Sequence, residues 1–228
     1  RQRTPVAWCG RWGGFYTLMR YDDVVQASRA PETFTATRMT VIPSSPRKGL
    51  PRLPLQKDPP ESNRFRKGLN PFFKENRIGA LEPQLVALAD RLMADLKAAP
   101  AAADFSGGFA QPFTQGTLGL LLGLDPDEAL EIGRLSHAYV EAVQGEDLET
   151  AGRLSREVDG FAIRLVADRL QHPRDPGTDI VSGLAATRPE GGPYTDEELA
   201  AAAAAVDGRT ELDALVAYLQ GLGTTRQR

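Results

Sequence analysis

The chain has 228 residues, of which 41% are hydrophobic, 25% charged and 7% aromatic, and this composition excludes a disordered, collagen-like or coiled-coil protein. One cysteine and two histidines exclude a disulfide framework and a cysteine- or histidine-rich metal site, so we predict no metal ligands. The longest apolar run is too short for a membrane span and no signal segment opens the sequence, so we expect a cytoplasmic protein without membrane contact.

Charge is divided unevenly along the chain. Residues 1–78 hold 15 basic and 6 acidic side chains, whereas residues 79–228 hold 12 basic and 24 acidic ones. A basic first third could bind nucleic acid, but its aromatic residues do not interleave with the cations and no nucleic-acid motif is present, so we predict no nucleic-acid partner. A small anionic ligand, an acidic protein partner and a simple solvated surface remain open.

The first predicted elements are a strand and a short helix. Residues 14–20 are rich in β-formers, and Asp22 follows them as a helix cap, so a strand leads into a helix that ends at about Ala30. Pro31 closes this helix. Residues 37–57 contain four prolines among basic and polar residues, which predicts a long loop.

The strongest local signal is the sequence DPPE at residues 58–61. It supplies Asp58 as N-cap, a proline at the first helical position and a glutamate three residues after the cap, and it predicts a helix to about Leu69. Ser62 and Arg66 are four residues apart and share one face of this helix. The apolar positions 65 and 69 share another face, which we expect in the core.

Helix predominates in the remainder of the sequence. Leucines three or four residues apart predict an amphipathic helix from Asn76 to Lys97. Two capping-box patterns follow, Thr195 with Glu198 and Thr210 with the nearby Asp213. Further helices are predicted near 112–123, 127–144, 148–171 and 177–187.

Four stretches resemble a known family. The stretches GGFYTLMRYDDVVQASRAPETF (13–34) and LPLQKDPPESNRFRKGLNPFF (53–73) are similar to the amino-terminal half of bacterial soluble cytochromes P450, the haem-thiolate monooxygenases. FAQPFTQGTLGLLLGLDPDE (109–128) and HPRDPGTDIVSGLAA (172–186) extend the resemblance. It implies a mainly α fold, the front half of the P450 helical prism, with a small amino-terminal β-region.

The resemblance also implies a cofactor site. In the family the helix opened by D-P-P-E carries H-x-x-x-R, and both side chains bind a haem propionate. Arg66 matches the arginine, and a guanidinium can clamp a carboxylate through two hydrogen bonds. Ser62 stands where the family has histidine and can donate one weaker bond. The resemblance thus predicts haem (heme) bound by Arg66 and Ser62, against the alternative that Arg66 is an ordinary solvent-facing arginine.

The partners implied by the resemblance are a small organic substrate and an electron donor. Arg64 and Lys67 could dock an acidic ferredoxin or flavoprotein, or could be solubilising charge. The loop near residues 38–56 and the helices around 137–144 and 155–163 would line the substrate cavity.

The oxygen-activating motifs of the family are missing. Haem-thiolate chemistry requires a cysteine in an F-G-x-G-x-H-x-C-x-G loop, and neither that loop nor the helix motif A-G-x-[DE]-T occurs here. The one cysteine, Cys9, is interpreted as a free or half-buried thiol, and His137 as a structural or surface histidine. We therefore predict no catalytic residue in this chain and no activity of this chain alone.

The end of the chain resembles a different protein. TELDALVAYLQGLGT (210–224) is similar to the carboxy-terminal end of the monohaem cytochrome c subunit of cbb(3)-type oxidases, without that subunit's C-x-x-C-H sequence or membrane anchor. This predicts a P450-like part at 1–188 and a helical tail at 189–228, as in a truncated or chimeric gene product. The alanines at 200–205 are interpreted as helix filler.

Two functions follow from these observations. The first is the amino-terminal part of a monooxygenase whose family inserts one oxygen atom from O₂ into a C–H bond, with electrons from a redox partner. The second is a non-catalytic helical binding module, whose apolar stripe at 212–222 would dock on a partner or cover an exposed core.

Overall fold

A computed structural model describes residues 5–37, 50–99, 104–189 and 192–207, and helix predominates in them, as predicted. The two strands are β1 (Val6–Cys9) and β2 (Phe15–Leu18). The α-helices are α1 (Tyr21–Ser28), α2 (Glu61–Leu69), α3 (Glu75–Gly79), α4 (Glu82–Ala98), α5 (Gln111–Leu122), α6 (Pro126–Gln144), α7 (Leu148–Gln171), α8 (Ile180–Ala186) and α9 (Asp196–Asp207). Short 3₁₀ turns lie at Arg11–Gly13 and Asn70–Phe73, and a π-helical turn lies at Ser106–Ala110.

The amino-terminal β-region is an antiparallel hairpin. β1 pairs with β2 so that Trp8 faces Tyr16, with their ring centroids 4.7 Å apart. The predicted strand and short helix are confirmed as β2 and α1, whereas β1 has only four residues and was not predicted. The predicted cap is wrong: α1 begins at Tyr21, so Asp22 lies in its first turn, where its charge complements the helix dipole.

The amphipathic segment predicted at 76–97 forms two helices rather than one. α3 ends at Gly79 and α4 begins at Glu82. Pro83 occupies the first turn of α4, where its missing N–H costs nothing, but the same ring cannot continue a helix from the preceding turn. The helices predicted near 112–123, 127–144, 148–171 and 177–187 are confirmed as α5 to α8.

The hydrophobic core surrounds α7. This helix packs mainly against α6 and α9, and its buried face presents apolar side chains along four turns. The buried apolar residues of α7 are Ala151, Leu154, Val158, Phe161, Ala162, Leu165 and Val166. In the described part of the chain no helix has both the length and the hydropathy to cross a bilayer.

Helix α9 belongs to this same core. Leu199 and the alanines 200–204 are buried, so the interpretation of the alanines as filler is wrong: their small side chains let α9 approach α7 closely. The capping box of Thr195 and Glu198 is confirmed by reciprocal hydrogen bonds of 3.1 and 2.9 Å. The rest of the predicted tail, including Thr210, Asp213 and the stripe at 212–222, lies outside the described residues.

A buried charge network joins three helix ends. Arg169, near the end of α7, has a fully buried side chain whose Nε donates to Asp179 at 2.9 Å and whose Nη2 donates to Glu128 at 2.8 Å. Asp168 contacts the same guanidinium. Because Glu128 lies in the first turn of α6 and Asp179 is the N-cap of α8, one arginine fixes the ends of three helices relative to each other.

Candidate functional site on helix α2

The segment before α2 does not cap the helix as predicted. Pro60 occupies the N-cap position, and no side chain caps the helix there. The Asp58 carboxylate instead accepts hydrogen bonds from the Thr35 hydroxyl at 2.6 Å and the Ala36 N–H at 2.9 Å. These two bonds, the Thr35 one first, lower the pKa of Asp58. The DPPE sequence therefore predicts the start of α2 correctly. The Asp58 side chain, however, binds residues 35–36 and does not cap the helix.

The two predicted cofactor ligands lie next to each other on α2 but differ in burial. Ser62 is 5% exposed and shares the buried side with Phe65 and Leu69, whereas Arg66 is exposed. On an ideal helix Ser62 is about 40° from Arg66 but only about 20° from Leu69, so it falls at the edge of the core stripe. No hydrogen bond or ion pair joins the Arg66 side chain to a residue that the structure describes.

Arg64 is paired within the chain, and its predicted role in docking an electron donor stays a prediction. Its guanidinium pairs with Glu198 at 2.6 Å and lies 4.6 Å from the ring centroid of Tyr194. Its positive charge is thereby neutralised within the protein. Lys67, the second predicted docking residue, is exposed on α2.

The segment predicted to line a cavity packs on α7. Arg52 forms a buried ion pair with Asp159 at 3.3 Å, and the Leu50 N–H donates to the same carboxylate at 3.1 Å. One turn earlier, the buried Ser155 hydroxyl has no hydrogen-bond partner among the described residues. Residues 50–56 and the middle of α7 are thus brought together, while residues 38–49 lie outside the described chain.

The other residues considered from the sequence do not form a site. His137 lies at the surface beside Glu141, at 3.4 Å, and Cys9 is a half-buried free thiol in β1. No cluster of His, Cys, Asp and Glu side chains suitable for a metal ion exists within the four described segments.

Similar proteins cover most of the chain. Erythromycin C-12 hydroxylase of Saccharopolyspora erythraea is 30% identical over 203 residues, which are 88% of this chain and 49% of that protein. A probable cytochrome P450 127A1 of Sinorhizobium fredii is 27% identical over 186 residues, or 82% of this chain and 43% of the relative. The homologues of this chain are bacterial cytochromes P450.

Solved P450 structures share the fold. The open cytochrome P450 EryK from S. erythraea has 26% identity and a TM-score of 0.73, over 92% of this chain and 52% of that one. Mycobacterium marinum CYP268A2 in complex with pseudoionone has 20% identity and a TM-score of 0.76, over 91% and 54%. The chain has the mainly helical fold of the amino-terminal half of a P450, with the small β-region expected. No family model matches the sequence.

The chain spans about half the length of the P450 relatives it matches. The likeness of residues 210–224 to a cytochrome c subunit of cbb(3)-type oxidases has no support among these similar proteins.

The P450 homology implies a haem cofactor, whose propionates are anionic. A propionate binds favourably to an accessible guanidinium that has no other partner. Arg66 is exposed, and its side chain has no partner among the described residues. Ser62 is buried, so little of its hydroxyl is accessible to a ligand that approaches the exposed face of α2. The exposed Arg66 is compatible with a haem carboxylate, and the cofactor roles of both Arg66 and Ser62 stay predictions.

Two contacts of this region could not be found from the sequence. Arg64 and Glu198 are 134 residues apart, and Arg52 and Asp159 are 107 apart. The capping-box pattern predicted the hydrogen bond between Glu198 and Thr195, but no sequence pattern predicted the ion pair between Glu198 and Arg64.

Proposed function

We propose that this chain forms the amino-terminal part of a P450-type, haem-dependent monooxygenase. Homology to bacterial P450s over most of the chain supports the reaction class. The observation that carries the cofactor assignment is the exposed Arg66 on α2, which has no partner among the described residues. An exposed guanidinium without a protein partner is suited to an anionic ligand.

Arg66 binds a haem propionate in this proposal. Its planar guanidinium can offer two N–H groups to the two carboxylate oxygens, an arrangement that fixes both distance and orientation. Ser62, one turn earlier, contributes at most one neutral hydrogen bond, so Arg66 supplies the larger part of the binding.

The haem, when bound, supplies the oxygen chemistry of the reaction. This chain's residues hold and orient it from one side. The chain has a single cysteine, Cys9, which lies in β1 outside any cysteine-loop motif. We therefore propose that residues 1–228 do not provide the axial thiolate and do not hydroxylate a substrate by themselves.

The substrate side of the site would be formed by residues 50–56 and α7. The buried pair of Arg52 and Asp159 holds these two segments together, and the unpaired Ser155 hydroxyl lies on the same helix. The names of two relatives, steroid C26-monooxygenase and linalool 8-monooxygenase, describe oxidation of small organic molecules by those proteins. We propose a small organic substrate here, and a ferredoxin or flavoprotein as electron donor.

Haem titration of Arg66→Ala tests the proposal. We expect the Soret absorbance of the wild-type chain to saturate, and the Arg66→Ala variant to bind haem about tenfold more weakly, because one charge-assisted clamp is lost. Arg91→Ala is the matched control, since Arg91 is an exposed helical arginine on α4. Equal affinity of Arg66→Ala and the wild type would remove Arg66 from the site.

The carbon-monoxide difference spectrum tests the second part of the proposal. We expect the haem-loaded chain to lack the spectrum of thiolate-ligated iron. A thiolate spectrum that disappears in Cys9→Ser would contradict the proposal and make Cys9 the ligand.

A further inference from the structure

Helix α2 is connected to the start of α9 by a group of contacts centred on Arg64. The guanidinium Nη1 donates to Glu198 at 2.6 Å, and Nη2 donates to the carbonyl oxygens of Gly192 and Pro193, each at 3.3 Å. The Tyr194 hydroxyl returns a hydrogen bond to the Arg64 carbonyl at 2.9 Å. Arg64 thus forms hydrogen bonds with four residues at or just before the start of α9, namely Gly192, Pro193, Tyr194 and Glu198.

Apolar contacts support the same connection. The rings of Phe65 and Tyr194 stack with centroids 5.3 Å apart, and the Arg64 guanidinium lies over Tyr194. Gly68 leaves room for this ring, because a Cβ there would lie 2.5 Å from the Tyr194 hydroxyl oxygen. The arrangement is therefore built from both helices and does not depend on one surface ion pair.

The Glu198 carboxylate is also oriented by a contact within its own helix turn. It accepts from the Thr195 N–H at 2.9 Å, as part of the α9 capping box. Burial raises the pKa of Glu198, but the bonds from Arg64 and Thr195 outweigh burial and lower it overall. Because the capping box orients this carboxylate, a shift of α2 would lengthen the bonds between Glu198 and Arg64. These bonds therefore oppose movement of α2 relative to α9.

We propose that Arg64 is a positioning residue, which clamps α2 to the entry of α9 and thereby sets the placement of Arg66 for its anionic ligand. Arg66 lies two residues after Arg64 on the same rigid helix, so a shift or rotation at position 64 is transmitted directly to position 66. This inference rests on the proposed haem-binding function of Arg66.

Haem affinity in single and double variants tests the inference. We expect Arg64→Ala to weaken haem binding about tenfold. Arg64→Lys should have an intermediate effect, because lysine retains the charge but not the planar fork. In the Arg66→Ala background the same Arg64→Ala change should have no further effect, since Arg64 acts through Arg66. A merely structural loss would persist in that background and would overturn the inference.

Glu198→Gln provides a gentler variant that keeps side-chain size and an acceptor for Thr195. It should reproduce the loss seen with Arg64→Ala, while Arg91→Ala should not. If Arg66→Ala weakens haem binding but Arg64→Ala and Glu198→Gln do not, the clamp has no positioning role and the proposed function survives. If Arg66→Ala itself has no effect, the haem-binding role fails, and the inference fails with it.

Discussion

The helical body around α7 and the amino-terminal residues 5–37 differ in how deeply their side chains are buried and in what those side chains contact. In the body, Arg169 is fully buried and paired with carboxylates from three helix ends. In residues 5–37 no residue is buried, and Trp8 and Tyr16 are 59% and 71% exposed. The described polar links from this region to the rest lie at the surface, such as Arg11 with Glu146 at 3.1 Å and Thr35 with Asp58 at 2.6 Å.

This difference indicates where the stability of the chain resides. The body has a continuous apolar core and a buried charge network, so its opening requires loss of many contacts together. The amino-terminal hairpin has two strands and little buried area, and such a hairpin is marginally stable by itself. Changes in the body should therefore alter global unfolding, and changes in the hairpin should act locally.

The largest effect is expected from Arg169→Ala. Removal of this guanidinium leaves the buried Asp179 without its charged partner and takes one of two cations from Glu128, which should lower the free energy of unfolding by about 3 kcal/mol or more. Urea denaturation followed by circular dichroism measures it. Arg153→Ala is the control: its exposed pair with Glu157 should be worth less than about 1 kcal/mol. Equal losses in the two variants would show that the Arg169 network does not stabilise the body.

A smaller effect should appear as acid sensitivity at Asp125, the N-cap of α6. The Glu128 N–H donates to this carboxylate and, with Arg174, holds the pKa of Asp125 below its ordinary 3.8. A carboxylate whose pKa is lowered by folding stabilises the protein above the unfolded pKa, and this contribution is lost as pH falls through the folded pKa.

Asp125→Asn tests this acid dependence. Asparagine caps a helix about as well as aspartate, so stability near neutral pH should change little. Below the ordinary pKa of the carboxyl, unfolding free energy should fall less steeply with pH in the variant than in the wild type. Asp127→Asn, in the same helical turn, is the control. An unchanged pH slope in Asp125→Asn would exclude Asp125 as a source of acid sensitivity.

The smallest global effect is expected from Trp8→Ala. Its ring packs on Tyr16 but is mostly exposed, so the change should cost less than about 1.5 kcal/mol in global unfolding. Hydrogen exchange should show faster exchange in β1 and β2 with unchanged protection in α7. A loss as large as that of Arg169→Ala would mean that the hairpin is part of the cooperative core.

Local chemistry made much of the fold predictable. The spans of α5 to α8 were predicted from the sequence, and the pair of Thr195 and Glu198 marked the start of α9, because helix signals depend on residues within a few turns. The role of Arg66 was predicted in a different way, from the resemblance of the DPPE helix to a family motif, and it stays a prediction. The break between α3 and α4 is not visible in the leucine spacing, which continues across it, and Pro83 in the first turn of α4 is its local signal.

The sequence alone determined where most helices lie, since helix signals depend on short stretches of chain. Only the tertiary structure decided that Ser62 is buried, that Arg64 is bound to Glu198 and that Arg169 has three carboxylate partners. Those outcomes depend on which distant segments meet when the apolar faces of α2, α7 and α9 are buried together. A charged residue carries no local mark of the partner that such packing will bring to it.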